Sequence, residues 1–162
     1  MTIRIVKSED VGQILDIYNG YVLTSTATFE ETPPDLGSFA ARVKRIAGSY
    51  PYLVAEEDGK IVGYAYLDKF NERSAYRKTA DLSIYLAPDR KGKGLGKTLF
   101  AELENAGRKI GVTEIISLVT EENEISRAFH LSCGFREVGT LTDVGEKFGR
   151  KLGVTYFQKH IR

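Results

Sequence analysis

Between a strand-like run, Asp81-Leu82-Ser83-Ile84-Tyr85-Leu86, and a helical pattern from Leu95 to Ile110 stands Arg90-Lys91-Gly92-Lys93-Gly94-Leu95-Gly96-Lys97-Thr98. Three glycines in five positions strip side chains from the backbone, so another molecule can approach it closely. The helix that follows begins with unpaired N–H groups and a partial positive charge, which together suit an anion, above all a phosphate. Lys91, Lys93 and Lys97 add mobile positive charge around the same spot. A strand, a glycine turn and a helix N-terminus thus form a cradle for a diphosphate, and the chain must mix strands with helices to hold it.

Two phosphate-binding patterns can be tested by counting. GxxxxGK[ST] needs a glycine five residues before Gly96, and that position is Lys91; Gly92 comes one residue too late. The dinucleotide fingerprint GxGxxG also fails, because Gly92, Gly94 and Gly96 read GxGxG. The turn does not open the chain either, as the first βα turn of a dinucleotide fold does.

A length of 162 residues suits one domain, 1–162, with a core that needs no staples. The 23 Lys and Arg against 22 Asp and Glu argue against a nucleic-acid protein driven by phosphate neutralisation. No apolar run approaches the length of a membrane span, and Met1-Thr2-Ile3-Arg4-Ile5 lacks the apolar core of a signal peptide, so a cytoplasmic protein is expected. A single cysteine allows neither a disulfide framework nor a Cys-based metal cluster.

Alternation at Ile3 and Ile5 predicts a first strand, and Ser8 offers an N-cap for a helix carrying Val11, Ile14, Leu15, Tyr18 and Val22. Thr24 to Pro34 reads as a loop or edge strand. Asp35 to Ala47 returns to helical spacing. Asp58-Gly59 joins Tyr52–Glu56 to Ile61–Tyr66 as a hairpin. Strands are expected at 81–86, 113–119, 135–139 and from Val154 toward Ile161, with a short helix over 125–133 and a glycine-rich connection from Gly145 to Gly153. The expected fold is α/β, a mixed, mostly antiparallel sheet with helices on both faces.

Lys91-Gly92-Lys93-Gly94-Leu95-Gly96 resembles the [RQ]xxGx[GA] acetyl-CoA signature of the GNAT N-acetyltransferases, with lysine where that family prefers arginine or glutamine. Ile17-Tyr18-Asn19, Ser25-Thr26-Ala27-Thr28-Phe29, Tyr50-Pro51, Val62-Gly63-Tyr64-Ala65-Tyr66, Ser83-Ile84-Tyr85-Leu86, Gly134-Phe135 and Gly145-Glu146-Lys147-Phe148-Gly149-Arg150 resemble the phosphinothricin and methionine sulfoximine/sulfone acetyltransferases. These pieces cover nearly the whole chain. The resemblance implies the GNAT fold, splayed at strands 4 and 5, acetyl-CoA as co-substrate with no metal, a small-molecule amine acceptor and a homodimer.

The same resemblance assigns roles. Ile84, Tyr85 and Leu86 would bond the pantetheine arm through their backbones, with one N–H, that of Leu86, facing the oxyanion. Lys91, Gly92, Lys93, Gly94, Leu95, Gly96 and Lys97 would hold the diphosphate, and Asn123 would touch the pantetheine. Asp81 stands where the subfamily carries a glutamate proposed as general base; one methylene shorter, it would rely on a bridging water. An ammonium acceptor is mostly protonated at neutral pH, so proton removal is a real requirement. His130, five residues before Phe135, falls where many relatives place a tyrosine that protonates the departing thiolate. Asn71, Glu72, Arg73 and Tyr76 would grip the acceptor's acidic end, with Asp81, Leu82 and Ser83 completing its wall. Tyr64, Tyr66, Tyr85, Phe29 and Cys133 read as core or pocket wall. Gly153 replaces an aspartate common in these relatives. Acetylation of a peptide, protein or polyamine amine, or non-catalytic binding of an acyl-CoA, are the competing readings.

Overall fold

The computed structural model describes residues 1–162. In chain order it comprises β1 (Thr2–Ile5), α1 (Val11–Thr24), α2 (Leu36–Ala47), β2 (Tyr52–Glu57), β3 (Lys60–Lys69), β4 (Thr79–Leu86), α3 (Leu95–Lys109), β5 (Glu114–Thr120), α4 (Glu124–Ser132), β6 (Arg136–Lys147) and β7 (Arg150–His160). The seven strands form one sheet in the order β1-β2-β3-β4-β5-β7-β6. Every neighbouring pair is antiparallel except β4 with β5.

Two apolar layers sandwich the sheet, as the helical spacing predicts. Val11, Ile14, Leu15, Tyr18 and Val22 of α1 and Phe39, Val43 and Ile46 of α2 bury one face against Tyr52, Val54, Ile61 and Tyr64. Leu99, Phe100 and Leu103 of α3 bury the other against Leu67, Ala80, Leu82, Ile115, Val119 and Phe157. Asp35 caps α2 by accepting the Ser38 N–H at 2.9 Å. The Asp58-Gly59 hairpin forms as expected, with φ of 50° and 78° at its two central residues.

Two local expectations are corrected. Ser8 does not cap α1; residues Ser8–Asp10 form a single 3-10 turn. The buried Asp10 organises it instead, taking the Lys7 N–H at 2.7 Å and two N–H groups of Arg4 at 2.8 and 2.9 Å. The stretch from Gly145 to Gly153 is not a loose connection either. It is part of the hairpin of β6 and β7, bulged between Leu141 and Gly145 and turning at Phe148 and Gly149, whose φ values are 54° and 70°. Gly153 permits that pairing, because a Cβ there would lie 2.2 Å from Glu121 Oε2 and 2.9 Å from the Leu141 carbonyl.

The parallel pair positions the site. β4 and β5 match only over Thr79–Asp81 and Glu114–Ile116, while β5 stays paired to β7 through Thr120 and β4 stays paired to β3 through Leu86. Past Asp81 and Ile116 the two strands part.

Candidate active site

The opening holds a cleft of about 940 Å³. Leu82 to Leu86 form one wall and Ser117 to Thr120 the other; Ser25–Ala27, Asn123 and one side of α4 close its rim. The wall from β4 offers backbone groups in a fixed pattern. The Ala87 N–H bonds the Val62 carbonyl at 2.9 Å. Antiparallel pairing alternates, so Tyr85 and Ser83 turn their backbone groups to Tyr64 and Tyr66 of β3, and Ile84 and Leu86 turn theirs to the cleft. The Leu86 carbonyl is taken by the Tyr21 hydroxyl at 2.6 Å. The Leu86 N–H and both backbone groups of Ile84 therefore face the gap. Tyr85 does not offer its backbone there, contrary to the sequence reading; its ring packs edge-on to Tyr18 and Tyr21.

At the far end lies the glycine turn. Gly92 and Gly94 adopt φ of 74° and 83°, a region costly for other residues, and nothing lies within 4 Å of where their Cβ atoms would be. Gly94 is the residue from which α3 starts, leaving that helix without a side-chain cap. Gly96 has a different reason to be glycine: a Cβ would meet the Phe129 ring at 3.0 Å and Leu86 at 3.6 Å. Lys91 and Lys97 line the cleft, and the Lys91 ammonium sits 4.7 Å from the Tyr21 ring centroid. Lys93 is exposed outside the lining, and the Leu95 side chain is buried in the core.

Asp81 stands at the apex, as the last β4 residue matched to β5, just outside the residues that line the cleft. Its Oδ1 is buried with no hydrogen-bond partner. Burial, and secondarily the charge of Asp68 across the ladder, push its carboxyl up to about 7. A carboxylate poised near neutrality is the property a general base needs.

His130 is 2 % exposed and wedged among Phe129, Phe135 and Phe157. A carbonyl can only accept, so Nδ1, 2.7 Å from the Ser126 oxygen, carries the ring proton. Nε2 then accepts from the Ser117 hydroxyl at 2.7 Å. Burial holds the ring's proton affinity down, so it stays neutral. In this state His130 has no proton facing the cleft, which departs from its expected part as the acid. Ser117, missed in the sequence reading, was legible as the one polar residue inside Ile115-Ile116-Ser117-Leu118-Val119.

Asn123 lies on the rim, and its side-chain oxygen caps α4 by accepting the Ser126 N–H at 3.1 Å, leaving its amide NH₂ for other contacts. The loop over Ser25–Thr28 is tied down by Lys147 and Arg150 of the resembling segment and by Thr120 and Glu122, which sequence reasoning did not single out. Thr120 donates to the Thr26 carbonyl at 2.6 Å, and Thr26 donates to Glu122 at 2.8 Å. Glu122 in turn accepts both terminal nitrogens of Arg150 at 2.9 Å, and these contacts lower its carboxyl to about 2. Lys147, 1 % exposed, donates to the Ser25 and Thr28 carbonyls at 2.7 and 2.8 Å.

The expected acceptor segment lies elsewhere. Asn71, Glu72, Arg73 and Tyr76 are on an exposed loop and none lines the cleft. Asn71 accepts the Arg73 N–H at 3.0 Å, Glu72 pairs with Lys69 at 3.2 Å, and Tyr76 packs on Phe70. Leu82 and Ser83 do line the cleft.

The model of the acetyltransferase (GNAT) domain matches residues 3–154. The chain is 41% identical to phosphinothricin N-acetyltransferase of Alcaligenes faecalis over 162 residues, covering 99% of this chain and 82% of that one. It is 34% identical to the L-methionine sulfoximine/L-methionine sulfone acetyltransferase of Salmonella typhimurium, covering 99% and 95%. The crystal structure of a GNAT superfamily phosphinothricin acetyltransferase from Sinorhizobium meliloti in complex with AcCoA superposes with a TM-score of 0.94 at 38% identity, covering 98% of this chain and 87% of that one.

Proposed function

Because the chain belongs to the GNAT acetyltransferase family, we propose that it transfers acetyl from acetyl-CoA directly to the amino group of a small amino-acid-like acceptor. Phosphinothricin, methionine sulfoximine and methionine sulfone are the acceptors to expect. The observation that carries this reading is the parted pair β4 and β5, with a glycine turn lining one end of the opening and Asp81, whose Oδ1 is buried, at the last residue pair before the strands part.

The residues fit acetyl-CoA. The backbone around Gly92 and Gly94, with Lys91 and Lys97, would take the diphosphate, and Lys93 would add charge from outside. Leu95 and Gly96 supply helix N-terminal backbone. Ile84 and Leu86 would pair with the arm, and the Leu86 N–H would stabilise negative charge growing on the thioester oxygen. Asn123 would reach the arm through its free amide. Asp81 would take the ammonium proton, through a water because its side chain is short. The leaving thiolate would be protonated by water, and His130 would serve by fixing the Ser117 hydroxyl at the cleft wall. This chemistry draws on protein groups and water alone.

Arg73 makes no ion pair within the chain, but it lies with Asn71, Glu72 and Tyr76 outside the cleft and is given no part in holding the acceptor. Leu82 and Ser83 would wall the acceptor. We also assign the chain to a homodimer, a reading favoured by the edge strand β6, where Val138, Leu141 and Val144 are 53 %, 49 % and 56 % exposed. Acetyl-CoA is consumed where it is made, which favours the cytoplasm; no helix is long and apolar enough to cross a membrane.

CoA thiol release from acetyl-CoA tests the reading. The panel holds phosphinothricin, methionine sulfoximine, methionine sulfone, ordinary amino acids, a polyamine and a lysine-rich peptide. Fast release with the first three is expected. Release only with the polyamine or peptide would overturn the small acceptor, and silence despite tight acetyl-CoA binding would overturn catalysis.

A further inference from the structure

Asp81 does not stand alone. The β3–β4 register sets Asp68 directly opposite it, on the same face of the sheet. The two carboxylates live in opposite surroundings. Asp68 accepts Arg45 of α2 through two nitrogens at 3.1 and 3.3 Å and the Lys69 N–H at 2.8 Å. Asp81 has a buried oxygen with no donor at all. Of two neighbouring acids, one is supplied with donors and one is starved of them.

Other groups around Asp81 do not disturb this pairing. From β5 it meets the apolar Ile116, and the next acid on that strand face, Glu114, is occupied by His160, Gln158 and Arg162. Thr79 and Ser83 flank it on β4, and Tyr66, the next residue on that face of β3, is uncharged. On α2 the neighbouring cation, Arg42, is engaged by Glu30. From α1, Tyr18 meets Tyr85 farther along β4 and bonds Thr28 and Glu30. Asp68 is thus the charge set directly across the ladder from Asp81, and Arg45 is the cation that holds it.

We propose that the Arg45–Asp68 pair is a positioning element for the reaction, fixing a negative charge opposite Asp81 so that Asp81 changes protonation state at the pH where an amine must be deprotonated. The inference rests on the reading of Asp81 as the base. Asp68 acts through Asp81 and need touch neither substrate. Arg45 tempers it: the exposed guanidinium partly cancels the charge that Asp81 feels.

The test is kcat/KM against pH, with methionine sulfone and acetyl-CoA throughout, so that the acceptor amine contributes equally to every profile. Asp68→Asn keeps the acceptor for the Lys69 N–H and removes the charge. It should move the acid limb down by about one pH unit and raise kcat/KM at pH 6 by several-fold. Arg45→Gln should move the limb the opposite way, which also guards against a variant that merely folds poorly. The Asp81 carboxyl is followed in the same three proteins by carbon NMR of labelled aspartate. Coincident profiles and an Asp81 titration that ignores both substitutions would overturn the proposal. If the titration moves and the kinetic limb does not, the coupling stands and the reading of Asp81 as base is what falls.

Discussion

A single side chain, Asp81, proposed above as the base, also costs stability. Its carboxyl titrates at about 7 when folded, against 3.8 as the reference value. Between those limits the folded chain binds more protons than the unfolded one, so stability must fall as pH rises from about 4 to about 7. The contribution is fully present below the unfolded value and lost as pH passes the folded one. Asp81→Asn should remove this slope, leaving a variant that melts several degrees higher than the parent at pH 8 and equally at pH 4. The same variant should lose about 10²- to 10⁴-fold in kcat with its acetyl-CoA Kd unchanged. A parent melting profile without that fall, or full turnover across pH 6 to 9 in the variant, would remove Asp81 from the base role. Ser117 offers a second residue-scale check. Ser117→Ala leaves Nε2 of a buried, neutral His130 without a donor, a loss of about 1–3 kcal/mol that a thermal melt would register. The sequence made Asp81 legible as a strand-start acid. It could not reveal the unpartnered oxygen or Asp68 opposite, because both depend on β3–β4 register.

Elements explain which glycines are left open and which serve packing. The motif presents Gly92, Gly94 and Gly96 as equivalents, but only the first two stand at positive φ with open space where a side chain would go. Gly94→Trp should therefore abolish acetyl-CoA binding by blocking the turn while the protein stays folded; isothermal titration that still finds normal affinity would show the diphosphate lies elsewhere. Gly96→Val instead drives a branched side chain into Phe129 and Leu86, and is expected to lower stability by about 1–3 kcal/mol as α3 is forced off α4. The β6–β7 hairpin shows the reverse error of sequence reading. Its glycines read as a glycine-rich connection between strands, yet Gly145 is where the Phe29 ring lies against the strand, leaving 2.3 Å for a Cβ, and Gly153 admits the Glu121 side chain. Small residues there are the imprint of neighbours distant in sequence. Lys147 belongs to the same contact. Truncating it to Ala would strand the Ser25 and Thr28 carbonyls and cost about 3 kcal/mol, with hydrogen exchange rising across residues 25–30 while the α2 core stays protected.

At the scale of the molecule, the sheet is a partition with a gap in it. α1 and α2 cover the face that bears Asp81, Ser83 and Tyr85, and α3 and α4 cover the face toward which Leu82 and Leu86 project. The element order was legible in full, because helical and alternating periodicities are local properties of the chain. What local pattern could not show is that β4 and β5 separate after three residue pairs, since nothing in either strand's own sequence forbids further pairing. The separation leaves the backbone groups of Ile84 and the Leu86 N–H facing the cleft, where an extended ligand can pair with them as a further strand would. It follows that acetyl-CoA should stabilise the folded protein well beyond what a surface anion would. At a hundredfold excess over its Kd the gain is about 2.7 kcal/mol, which for a domain of this size raises the melting temperature by roughly 5–10 °C. The fragments separate the two ends of the cleft. Adenosine 3′,5′-bisphosphate lacks the pantetheine and should give only a small shift, ATP should give none, and desacetyl CoA should recover most of the effect by pairing with β4. If ATP protected as well as acetyl-CoA, the glycine turn would be acting as a general phosphate site and the parted strands would have no part in recognition. If CoA protected no better than the bisphosphate, the arm would not lie between β4 and β5.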